Sequence, residues 1–246
     1  MKQTVTDKLF LRIKIYLLIA ALSIGTLSLH AQQRKVLNLP NYDKQGIHFG
    51  FTLGVNTFNF ITQTIPDLRT ADSVMVIQPS IGTGFSLGIL ANVHLGNNFD
   101  LRFIPTLSFS ERTIQYTINF RAQDSVMQRR KKTESSLIEF PLLLKFKSDR
   151  YNNFRAYIIG GIKPTLDLAS QDKVDDKGEK ILKLKKNDLH GELGVGFDFY
   201  SQYFKFSPEF KIAYGLRNIL VQENNVYTSP LQSLKSRAIY ISFTFE

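Results

Sequence analysis

The sequence predicts an all-β chain, an eight-stranded antiparallel barrel that crosses an outer membrane with short periplasmic turns and long extracellular loops. Three observations carry that expectation. Apolar residues alternate with polar ones along eight stretches, the connections between them alternate short and long, and the charges on the polar face are mixed in sign. The chain has 246 residues, 43% of them hydrophobic, with 20 Phe and 10 Tyr but neither Cys nor Trp. That composition is of an ordinary folded protein. The missing cysteines exclude a disulfide framework, a thiolate metal site, a cysteine nucleophile and a lipidated N-terminal cysteine.

Residues 1–31 read as a secretory signal peptide: Lys2, Lys8, Arg12 and Lys14 precede an apolar run at 16–29, and Ala31 follows. The run is about 14 residues long, short of the roughly 20 that a spanning helix needs, which weighs against a retained anchor. Elsewhere the chain has no run of 18 apolar residues, so strands are the expected means of crossing. Residues 32–46 are expected to form a periplasmic pre-barrel segment, and 47–246 the barrel.

The first strand starts at Ile47, where Ile47, Phe49, Phe51, Leu53 and Val55 share one face and His48, Thr52 and Asn56 the other. In the second, Phe85, Leu87, Ile89, Ala91, Val93 and Leu95 oppose Ser86, Asn92 and His94. The third sets Phe99, Leu101, Phe103, Leu107 and Phe109 against Asp100, Arg102, Thr106, Ser108 and Ser110. The others are predicted at 136–147, 153–166, 188–200, 203–217 and 236–246. Between strands, stretches of about 25, 25, 20 and 18 residues alternate with tight turns at Gly96-Asn97-Asn98, around 148–152 and at Ser201-Gln202. A soluble lipocalin-like barrel with the Phe-rich face inward is the alternative, and it gives no reason for all long loops to lie at one end. Pro105, Pro141, Pro164 and Pro208 fall inside predicted strands, so bulges or strand ends are expected there.

Facing inward would be Arg102, Glu139, Lys145, Arg155, Lys163, Asp167, Asp188, Glu192, Asp198, Lys205, Glu209, Lys211 and Arg217, a mixture of signs that predicts a salt-bridged interior and no pore. The glycines of GFTLG and GVGF are expected to make room for side chains across that interior. The formal charge is +10, and loss of the signal would leave about +7. The remaining bases concentrate at Arg129, Arg130, Lys131 and Lys132 and between Lys173 and Lys186, both in long outer connections; Asp175-Asp176-Lys177-Gly178 reads as a hairpin tip that would prolong the fifth and sixth strands. No aromatics are interleaved with these bases, which excludes a nucleic-acid surface and leaves outer-membrane lipid or another protein as the partner.

Catalytic chemistry finds little support. Beyond the signal the histidines are His48, His94 and His190, spread over both ends of the predicted barrel; only His190, flanked by Asp188 and Glu192, could act as an oriented general base. No metal spacing, phosphate loop or nucleophile elbow occurs, so no catalytic residue, cofactor or small-molecule substrate is expected.

The segment NLPNYDKQGIHFGFTLGVNTFNF (38–60) and LIEFPLLLKFKS (137–148) resemble the PorT proteins of Bacteroidetes, called SprT in gliding species. The resemblance implies a non-enzymatic barrel that supports the type IX secretion system, the export route for proteases and adhesins, and in some species gliding motility. It carries no catalytic residues over. Candidate partner contacts are therefore positional: Asn41, Tyr42 and Asp43 in the pre-barrel segment, and Arg129, Arg130, Lys131 and Lys132 in the basic loop. A structural or adhesive barrel unrelated to secretion is the alternative, and an enzyme using His190 a third.

Overall fold

A computed structural model describes residues 36–65, 74–120, 125–170, 182–223 and 227–246; the expected signal peptide and the 175–178 hairpin tip lie outside them. The chain divides into Met1–Leu37, of which only Val36 and Leu37 are described, and Asn38–Glu246, which contains every described strand.

Among the described residues eleven strands form one antiparallel sheet: β1 (Ile47–Thr64), β2 (Val74–Ser80), β3 (Gly82–His94), β4 (Phe99–Phe103), β5 (Thr106–Phe120), β6 (Ser125–Glu139), β7 (Leu142–Lys147), β8 (Phe154–Asp167), β9 (Asn187–Tyr200), β10 (Lys205–Gly215) and β11 (Leu231–Phe245). The first strand pairs with the last, Phe51 opposite Phe245, and β8 pairs with β9 from Phe154–Phe199 to Leu166–Asn187. The ladders therefore close into a ring, which leaves the barrel wall itself without an edge.

Eleven strands stand where eight were expected because three of the staves are interrupted. Only Ile81 separates β2 from β3, Ile104-Pro105 separates β4 from β5, and Phe140-Pro141 separates β6 from β7. The prolines explain two of these breaks. Each lacks an amide hydrogen, yet its carbonyl still accepts: Pro105 from Ile89 N–H (3.0 Å), Pro141 from Ile104 N–H (3.2 Å) and Pro164 from Phe140 N–H (2.9 Å). Pro105, Pro141 and Pro164 thus form a diagonal across neighbouring staves, in which Pro141 faces the break at Ile104-Pro105 and Pro164 the break at Phe140-Pro141. Pro208 sits inside β10, where the ladder to β9 skips Ser207 and Pro208.

The loops differ from expectation. Short turns at 95–98, 148–153 and 201–204 lie at the end that also holds the start of β1 and the end of β11; this is the turn end. Asn152 adopts φ 54° in the second of them, a left-handed conformation that asparagine tolerates. At the opposite, loop end, the second long connection is mostly strand. β5 and β6 continue as a paired ribbon to Phe120 opposite Ser125, with β2 added beside β5. The ribbon expected of the fifth and sixth strands does not appear among the described residues, where β8–β9 pairing ends at Leu166–Asn187.

The strands carry two opposite patterns in series. Toward the turn end the apolar face is outward: Phe49, Phe51, Leu53 and Val55 of β1 are exposed while His48, Thr52 and Asn56 are buried. Further along β1 the phase inverts, with Phe58 and Phe60 buried and Thr57 and Asn59 turned out. β5 does the same, with Leu107 exposed but Ile114, Tyr116 and Ile118 buried. Side-chain direction alternates with a fixed period of two, so the change is one of residue type and not of register.

The interior leaves little space. A Cβ on Gly196 would lie 2.4 Å from the Tyr157 ring, and one on Gly194 would lie 2.5 Å from Lys211 Cγ. The GVGF glycines therefore make room across the lumen, as expected.

Candidate functional site

The lumen near the turn end is filled by groups of paired, buried ions. Arg102, fully buried, donates to Asn92 Oδ1 (3.1 Å), Glu209 (2.5 Å) and Glu246 (2.7 Å). Glu246 also pairs with Lys205 at 2.9 Å, Lys145 with Asp198 at 2.7 Å, and Lys147 with Asp100 at 2.7 Å. Farther up, Lys163 lies 2.9 Å from Glu192 and 3.4 Å from Glu139, and Tyr240 donates to Glu139. Tyrosine rings cover the ammonium groups, Tyr157 over Lys145 at 3.6 Å and Tyr240 over Lys163 at 3.9 Å. Alternation places these groups inward, and burial then requires that each charge be paired.

Of the charges expected in the lumen, eleven are buried, Asp188 is half-buried, and Arg217 is exposed. Arg217 has the right parity but lies beyond Gly215, where β10 ends, so strand alternation no longer governs it. Asp100, Arg112, Lys147 and the Glu246 side chain are buried and paired as well, beyond the charges expected inward; Asp100 stands opposite Lys145, and Arg112 shares the even parity of the inward residues of β5.

Residues 38–46 close the turn end. Tyr42–Lys44 form one 3-10 turn. The Tyr42 ring stacks on buried His48, with centroids 3.9 Å apart, and its hydroxyl donates to Glu246 at 2.8 Å. Burial and the adjacent Glu246 carboxylate push the Tyr42 phenol up, which keeps it a donor. Asp43 receives two hydrogen bonds from Arg155, each 3.0 Å. Leu39 holds a left-handed φ of 49°, a strained backbone that Arg150 supports by donating to the carbonyls of Asn38 and Leu39. Tyr42 and Asp43 thus face the barrel, and Asn41 is exposed. Asp43→Ala is expected to free this segment and leave the strands intact: amide exchange at Tyr42 through Gln45 should accelerate at least tenfold, the equivalent of about 1.4 kcal/mol, with β1 and β11 unchanged.

At the loop end the filling is apolar. Phe60, Ile114, Tyr116, Leu184, Leu220 and Leu234 belong to one buried cluster, assembled where Leu184 bridges Leu220. Below it, Arg112 donates to Ser135, Ser236 and Asp167. His190 Nε2 lies 3.2 Å from Asp188 and its Nδ1 3.2 Å from Thr165 Oγ1, an Asp–His–Thr line. Glu192 is turned to Lys163 instead. The cavity beside His190 is about 10 Å³, room for a single water. His48 and His94 lie at the turn end, His94 against Asp100 at 2.7 Å. Among the described residues no three His, Asp or Glu side chains gather as a metal site.

The basic run lies on the β5–β6 ribbon. Arg129, Arg130 and Lys132 are exposed and Lys131 is half-buried, its ammonium 4.6 Å from the Tyr227 ring. Lys132 pairs with Glu111 and Glu134.

A family described as "Outer membrane protein beta-barrel domain" matches residues 30–221. The chain belongs to this family. Solved structures with related shapes include neisserial surface protein A (10% identity, 81% of this chain and 98% of that one, TM-score 0.41) and OprG from Pseudomonas aeruginosa (14%, 81% and 95%, TM-score 0.45). AlkL, solved in lipid bilayers, is 13% identical over 86% of this chain and 93% of its own, with a TM-score of 0.41. No curated protein matches the chain. As an outer-membrane barrel the protein presents its exposed Phe, Leu, Ile and Val band to lipid.

Proposed function

We propose that this barrel is a non-enzymatic support of the type IX protein secretion machinery, with its termini and short turns in the periplasm and its ribbon outside the cell. The observation that carries the reading is the filled lumen: an ion network through its middle, residues 38–46 at one end and the apolar cluster at the other. A barrel so filled acts through its surfaces. The motifs at 38–60 and 137–148 that resemble PorT proteins support the choice of machine, and they contain the periplasmic plug and the proline break of β6–β7. Asn41 on the plug and Arg129 and Arg130 on the ribbon are the accessible partner contacts. The exposed ribbon also favours a second reading, an adhesive barrel unrelated to secretion.

The test is deletion in the native host followed by fractionation. Secreted cargo is expected to accumulate in the periplasm and to be released again by the intact gene. Normal secretion with altered adhesion would select the second reading.

A further inference from the structure

A hollow on the outer face of β7–β10 adjoins a cluster of bases. The hollow, about 1070 Å³, is lined by Leu144, Ile158, Leu193, Phe210 and Tyr214 and floored by Gly160 and Gly191. Ile158 and Leu193 point outward on paired strands; Leu193 leans over Gly160 opposite it, whereas Gly191 opposite Ile162 leaves open space. The depression follows from that outward glycine.

Toward the loop end the same strands change chemistry within a few residues. The outward Leu189 and Leu216 are adjacent through the 2.8 Å Leu216 N–H to Leu189 O bond. Immediately beyond lies a second hollow, about 540 Å³, lined by Lys185, Lys186, Asn187, Arg217 and Asn218. Lys185, Lys186 and Arg217 are exposed, and among the described residues no carboxylate is paired with any of them. Asp188, the nearest acid along the chain, accepts from Leu189 N–H, lies 3.2 Å from His190 Nε2, and acts on Arg217 through its field without forming an ion pair with it. Lys185 donates to Asn218 O at 3.1 Å, which holds the two sides of this hollow together. Gly191 and Asn187 are four residues apart on β9, about 13 Å along a strand.

We propose that the two hollows are one binding site for a membrane lipid with a phosphate headgroup. One acyl chain lies beside Leu193 and over Gly191, and the phosphate is held by Lys185, Lys186 and Arg217. The apolar trough supplies the chain-shaped part, and the exposed bases sit where the lipid-facing band ends, at the depth of headgroup phosphates. This goes beyond the secretion reading and rests only on the outer face meeting lipid.

The test uses the full chain refolded in an uncharged detergent, with binding read by native mass spectrometry. The probes are phosphatidylglycerol, diacylglycerol with the same acyl chains, and inorganic phosphate. One phosphatidylglycerol per barrel is expected, with neither diacylglycerol nor phosphate bound at the same concentration. Replacing Lys185, Lys186 and Arg217 together with Gln should weaken binding on the order of a hundredfold. Gly191→Leu should weaken it with the bases intact; a Cβ there meets only Leu216, at 3.9 Å, and circular dichroism checks that the variant is folded. Unchanged binding in both variants, equal uptake of diacylglycerol, or displacement by phosphate at matching concentration would each overturn the site. A chain that fails to insert into vesicles would instead refute the membrane reading beneath it.

Discussion

Replacing Arg102 with Leu is expected to destabilise the folded barrel by about 3–5 kcal/mol, the usual consequence of leaving a buried charge without its partner. Arg102 is 0% exposed and holds two carboxylates, Glu209 and Glu246, each also 0% exposed at the side chain. Both keep a lysine partner, Lys211 for Glu209 and Lys205 for Glu246, so the barrel should weaken and still assemble. Arg102→Lys should recover only part of the loss, because one ammonium cannot reach Asn92, Glu209 and Glu246 in the planar fork that the guanidinium makes. The measurement is urea unfolding in lipid vesicles followed by circular dichroism, since the chain has no Trp to report by fluorescence. A loss below about 1 kcal/mol for Arg102→Leu would mean that water reaches the network and screens it.

A charge on the outer face should be nearly as damaging. Leu193 is 72% exposed in the middle of the outward apolar band, and Leu193→Arg is expected to cost about 2–4 kcal/mol in a bilayer. The control is Thr117→Arg on the outward side of the ribbon, past the inversion of the apolar face, where the effect should stay within about 0.5 kcal/mol. Equal, small effects at both positions would mean that the Leu193 face meets water, and would return the chain to the soluble barrel that the sequence also permits.

Much of this could be read from residue order. Alternation between Ile47 and Asn56 and between Phe85 and Leu95 locates β1 and β3 and gives the inward side of each. The prolines announce two of the breaks, because a missing donor is a local property. The ribbon was harder to read. Its alternation is present in Ile114, Tyr116 and Ile118, but those residues are on the side that bore polar residues a few positions earlier, which reads as a loop when one face is expected to stay apolar. Parity extended past the end of β10 puts Arg217 inside, and no local signal marks Glu246, whose partners Arg102, Lys205 and Tyr42 are contributed by distant parts of the chain. The role of Tyr42 and Asp43 in closing the lumen depends on the same long-range geometry.

The inversion along β1, β5 and β11 means that a single stave is stabilised by two different solvents. Below it, the side chains that drive assembly dissolve in hydrocarbon and ions are sequestered inside; above it, water is the excluded phase and the leucines and aromatics go to the centre. Moving the protein from bilayer to detergent changes the medium of only one of these halves. The apolar cluster around Ile114 and Leu234 should therefore keep its packing in micelles that loosen the ion-filled half, melting as a small water-soluble β-domain borne on a membrane anchor.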